Sequence, residues 1–100
     1  MFTQQELQMI DRKYFTVIDT EDNVITLVSK NTHHGWHIYK PKYLQRNSRP
    51  IIIFHRHENQ KEYHKHAAVK SFSNALRHIR KHDRYQIDVR WRGKTYKEKN

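Results

Sequence analysis

Residues 51–66 read Ile51-Ile52-Ile53-Phe54-His55-Arg56-His57-Glu58-Asn59-Gln60-Lys61-Glu62-Tyr63-His64-Lys65-His66. Three successive β-branched residues predict a strand over 51–57, and apolar side chains on both faces place it centrally in a sheet. The residues after this strand decide the architecture. If the chain turns back around Gln60-Lys61, cross-strand partners sum to 121. His57 then faces His64, His55 faces His66, and all four imidazoles share one face within metal-binding reach. Against this, Asn59-Gln60-Lys61-Glu62 lacks the Gly that a tight hairpin prefers. Asn59-x-x-Glu62 also forms a capping box, which would start a helix near Gln60 and carry His64 and His66 off the strand. Carboxylates are scarce here. We therefore read these histidines as surface groups on a polycationic face, and keep His55, His57, His64 and His66 as the alternative metal set.

Downstream, Val69, Phe72, Leu76 and Ile79 recur at helical spacing with Ala68 and Ala75 beside them, which predicts a helix over about 66–82. Its other face carries Lys70, Asn74, Arg77, His78 and Lys81, a basic stripe. His78 and His82 stand at i, i+4, a spacing that can hold a metal, but no Glu base accompanies them and cations crowd them. His78 is read as part of the stripe, and His82 as a C-terminal residue favoured by the helix dipole. Tyr85, Ile87, Val89 and Trp91 alternate with Gln86, Asp88, Arg90 and Arg92, which predicts a last strand.

Upstream, Thr3-x-x-Glu6 is a capping box and Phe2 can staple onto Leu7, so a helix is expected over 4–13. Phe15-Thr16-Val17-Ile18 and Val24-Ile25-Thr26-Leu27-Val28 form a hairpin across Thr20-Glu21-Asp22-Asn23. Trp36-His37-Ile38-Tyr39 is a further strand, reached after the turn Asn31-Thr32-His33-His34-Gly35, and 40–50 is a basic loop. The expected fold is α+β, one domain over 1–93 in the order α-β-β-β-β-α-β, with a mostly antiparallel sheet and helices on one face. Residues 94–100 read as a basic flexible tail.

Composition narrows the function. The 100 residues hold 20 Lys and Arg against 10 Asp and Glu, a net charge of +10, and nine His. The charge is polarised: residues 1–23 net −3 and residues 24–100 net +13. Such a body attracts polyanions. With no Cys there is neither a disulfide nor thiol chemistry. The longest apolar run, Ile51 to Phe54, is too short to span a membrane, and the first residues lack the features of a secretory signal, so a cytoplasmic protein is the default. Two Gly are too few for a P-loop or dinucleotide fingerprint, and no cofactor is expected.

These features suit three function classes. The leading one is a non-enzymatic nucleic-acid-binding protein, DNA or RNA, contacting phosphates through Lys70, Arg77, His78, Lys81, Arg90 and Arg92, with Tyr39 stacking on bases. The second is a metal-independent ribonuclease in which His37 works with His55 or His57 as general acid and base. The third is a protein-interaction module, such as an inhibitor of a host factor, that uses the acidic end.

Gly35-Trp36-His37-Ile38-Tyr39, succeeded by the 51–57 strand and the long helix, resembles the HicA-type mRNA-interferase toxins over residues 35–82. Those are small basic proteins with a double-stranded-RNA-binding-like α-β-β-β-α fold and a Gly-Ser-His motif. Trp36 stands where that family has Ser. The resemblance implies RNA cleavage with His37 as the catalytic residue. In composition and size the chain also resembles small proteins of low-GC Gram-positive bacteria and their prophages.

Overall fold

A computed structural model of the chain describes residues 2–41 and 50–99, with side chains through residue 89. Elements run α1 (Gln4–Gln8), β1 (Phe15–Thr20), β2 (Val24–Ser29), β3 (Gly35–Tyr39), β4 (Ile51–Arg56), β5 (His64–Val69) and α2 (Phe72–Lys99). The strands form one antiparallel meander in sequence order, β1-β2-β3-β4-β5. The α+β class and the helix–sheet layering are as expected.

Alternation explains the layering. Ile25, Leu27 and Ser29 on β2, Trp36 and Ile38 on β3, and Ile51, Ile53 and His55 on β4 are buried, and the residues between them are only half-buried. Facing pairs such as Ile25–Ile38–Ile53 and Leu27–Trp36–His55 stack these positions into one apolar face. Phe72, Ala75, Leu76 and Ile79 of α2 cover it. Phe2 joins from the N-terminal side, its ring 5.5 Å from Phe72. The capping box of α1 forms as read: Glu6 N donates to Thr3 Oγ1 at 3.1 Å and Thr3 N donates to Glu6 Oε1 at 2.8 Å. The helix is shorter than expected, ending at Gln8.

Two expectations are corrected. The fifth strand is His64–Val69, not 85–91, and α2 starts at Phe72 and continues through 85–91 as helix, its backbone running on to Lys99. Nothing in Lys81-His82-Asp83-Arg84 stops a helix, since it holds neither Gly nor Pro. Tyr85 and Val89, half of the expected apolar strand face, are 63% and 47% exposed. The Asn59-x-x-Glu62 box starts no helix. Ser71 caps α2 instead, its Oγ accepting from Asn74 N at 3.1 Å and its carbonyl from Ala75 N at 3.0 Å. Val69 is buried as anticipated, but from the end of β5. Most of the basic loop, 42–49, lies outside the described residues.

Gly35 serves a close approach. A Cβ there would sit 2.7 Å from Arg56 Nε and 2.8 Å from Tyr63 Oη. Tyr63 folds over the outer sheet face, where it accepts from Arg56 Nε at 3.2 Å and stacks on His37 at 3.6 Å.

Candidate nucleic-acid face and the histidine cluster behind it

Lys70, Asn74, Arg77, His78 and Lys81 line one shallow cleft along the start of α2. Arg77 and Lys81 also border a second groove with Arg80 and Arg84, on the side where Tyr14 and Asn31 lie. Lys70, Arg77, Lys81 and Arg84 are exposed. Among the described residues only Lys40–Glu6 and Arg80–Asp11 make ion pairs, so these four cations face solvent without a carboxylate partner. The stripe read from the sequence is thus assembled. Arg90 and Arg92 lie on the helix backbone rather than a strand, and their side chains fall outside the described ones. Tyr39 is not part of this face: it pairs with Ile52 and Val24 on the side of the sheet away from Ile38 and α2.

The ribonuclease pair is not brought together either. His37 pairs with Phe54 on the outer face, whereas His55 pairs with Trp36 on the helix side, so the sheet separates them. Burial and the nearby Arg56 cation hold the His37 pKa below its usual value. His55 and His57 do stay close, with ring centroids 4.8 Å apart.

The histidines depart most from expectation. His33 and His64 are exposed as expected of surface groups, but His34 and His55 are buried and His57, His66, His78 and His82 are half-buried. His34 is fully buried and His55 is 2% exposed. His55 stacks on Trp36 at 4.3 Å, and its Nε2 lies 2.8 Å from His34 Nδ1 in a hydrogen bond. Around it sit His57 at 4.8 Å, His64 at 5.4 Å, His66 at 5.2 Å and His82 at 4.7 Å between centroids. The chain does turn back after β4, but not in the register summing to 121. His55 pairs with His64, and the register slips between Ile53 and Phe54, leaving His66 as the extra residue of a β-bulge. The bulge lets His66 meet Trp36 at 5.6 Å and His82 at 4.9 Å. His82 does not end the helix; it points back onto the sheet, with His78 one turn before it and 5.1 Å from His66. Burial chiefly, with neighbouring imidazoles adding, pushes the His55 pKa down to about 3 and that of His66 to about 4. His82 is lowered too, by burial, against the pull of Asp83.

Sequence pattern does not reveal His34, His82 and Asp83 as one group. Asp83 is fully buried and accepts from Tyr14 Oη at 2.7 Å and Thr32 Oγ1 at 2.9 Å. Burial and this carboxylate raise the Tyr14 pKa. The bond pair ties the N-terminal segment and the β2–β3 turn to α2. Asp83→Ala takes away the acceptor of both hydroxyl protons, the Thr32 one buried and the Tyr14 one half-buried, and an unsatisfied buried donor costs roughly 1–3 kcal/mol. We expect a loss of about 3 kcal/mol, read as a lower urea midpoint at unchanged m-value. The β3–β4 ladder, with Gly35 opposite Arg56, brings His34 to His57 at 4.9 Å. That register has no local signal, because eleven residues of sequence, 40–50, separate the two strands.

Comparison with protein-family models, curated proteins and solved structures returned no match. Among the described residues, no helix is long and apolar enough to cross a membrane.

Proposed function

We propose that the protein binds nucleic acid through the exposed basic face of α2 and its entry turn, without acting as an enzyme on it. The observation that supports this is the alignment of Lys70, Arg77 and Lys81 along one cleft, with Arg84 in the adjoining groove and no carboxylate among the described residues paired to any of them. Unpaired cations in register on a rigid helix repel one another, a cost that phosphates remove. The contacts are to the backbone charge of the polymer, so the affinity is strongly dependent on salt. Asn74 and His78, in the same cleft, supply side-chain donors for sugar or phosphate oxygens.

Anisotropy titrations with duplex and single-stranded DNA and RNA, starting at about 50 mM salt where phosphate contacts are strong, test this. Binding is expected, with a linear fall of log K against log salt. The triple variant Lys70→Ala, Arg77→Ala, Lys81→Ala should lower that slope by about 3, one for each phosphate that is no longer neutralised. The control pair Lys61→Ala, Lys65→Ala, outside the cleft, should leave most of the affinity in place. No binding at low salt, or equal losses in both variants, would remove this reading.

A further inference from the structure

Three sets of side chains place ligand atoms within 4.8 Å of one another: His34, His55 and His57; His55, His66 and His82; and His34, His82 and Asp83. Hydrogen bonding separates them. In the first set His34 and His55 are already bonded to each other. In the third, both oxygens of Asp83 are engaged by Tyr14 and Thr32. The second set holds only one member of that bonded pair and no carboxylate. His82 Nδ1 is buried and has no hydrogen-bond partner, and the same holds for Nε2 of the adjoining His78. A buried polar atom left unbonded is costly, and an apolar side chain would fill the same space without that cost.

We infer that His55, His66 and His82 form a binding site for one divalent transition-metal ion of the imidazole-favouring class, such as Zn2+. The ligands come from β4, from the bulge of β5 and from α2, so the ion would fasten the helix to the edge of the sheet. Three imidazoles with no thiolate match sites of this class that keep a fourth position open. The open direction is given by a cleft lined by His66, His78, Lys81, His82 and Tyr85. His34, bonded to His55 at 2.8 Å, would fix the orientation of that ring as an outer partner. Lys81 and the neighbouring arginines argue against a cation on charge alone. The buried carboxylate of Asp83, next in sequence to His82, offsets them from inside. Bonds of about 2.0–2.1 Å require the ligand nitrogens to draw in from within 4.8 Å to about 3.3 Å of one another. The site does not rest on nucleic-acid binding.

The test uses untagged protein stripped with chelator and titrated with Zn2+ by calorimetry and with Co2+ by visible absorption. One equivalent of Zn2+ is expected, together with the intense visible bands of four-coordinate Co2+ and a rise in melting temperature with free Zn2+. His66→Ala and His82→Ala should each weaken Zn2+ binding by about 100-fold or more, at least the loss typical of an outer partner. His37→Ala, on the other face of the sheet, should not. Far-UV circular dichroism in chelator checks that each variant folds. Where an alanine variant does not, the corresponding glutamine variant carries the same expectation. Absence of binding, several weak equivalents that survive both substitutions, or loss with His57→Ala but not with His66→Ala would overturn the assignment. DNA and RNA affinity measured in chelator reports separately on the α2 face.

Discussion

In chelator, the protein is expected to lose its tertiary structure as pH falls from about 6.5 to about 4, a transition that begins above the range in which most carboxylates titrate. The cause is His55. It is 2% exposed and ringed by His34, His57, His64, His66 and His82, with Asp83 the nearest buried carboxylate to that group. Burial first, and its neighbours second, hold its folded pKa at about 3, and His66 comes next at about 4. In the unfolded chain both take up a proton near 6.5. Between those values the unfolded state binds more protons, so stability is full above about pH 6.5 and falls as pH drops toward the folded pKa values. Each unit of depression corresponds to about 1.4 kcal/mol. The loss therefore reaches several kcal/mol, against a total stability of about 5–15 kcal/mol for a domain of ordinary size. Far-UV circular dichroism and tryptophan fluorescence against pH should show a cooperative transition with its midpoint at about pH 4–5. A native signal unchanged at pH 4 would mean that the imidazoles are not buried as described.

Trp36→Ala is the single substitution expected to cost most, about 3–5 kcal/mol. The side chain is fully buried at the centre of the sheet, opposite Leu27 on one side and His55 on the other. His55 stacks on it at 4.3 Å, and His82 and His66 meet it edge-on at 5.2 Å and 5.6 Å. Its Nε1 donates to the buried Ser29 Oγ at 3.0 Å. Removing the ring opens a cavity under α2 and takes away the wall against which the histidines are held. Trp36→Phe keeps most of the volume and loses the Ser29 bond, so its cost should be about 1–2 kcal/mol. Urea unfolding of the three proteins measures both differences. An alanine variant within about 1 kcal/mol of the parent would show that α2 does not close over this face as described.

Local signals were legible wherever one element satisfied them alone. The Thr3-x-x-Glu6 box, the largely β-branched run Val24 to Val28 of β2 and the apolar series Phe72, Leu76, Ile79 each describe a cap, a propensity or a period contained in a few residues. The basic stripe on α2 came from the same helical period. Charge needed no structure at all. Period failed where two readings fitted equally well. Residues 85–91 alternate as a strand does, yet they lack a stop signal before them and continue the helix.

Tertiary structure alone decided the fifth strand and the histidine cluster. Residues 64–69 are weak as a strand by composition, but β4 is central in the sheet and its open edge requires a partner for its backbone groups. The short connection from Arg56 to His64 supplies one at hand. That choice set a register, and a one-residue bulge within it turned His66 toward the helix. The β3–β4 register brought His34 to His55, and the packing of α2 brought His82 to both. Side-chain direction along a strand is local, with a period of two, whereas register is a long-range quantity fixed by what the opposite strand and the covering helix bury. The sequence by itself therefore determined the sheet-and-helix class, the basic face and the presence of many imidazoles, and only the packed structure determined which imidazoles meet.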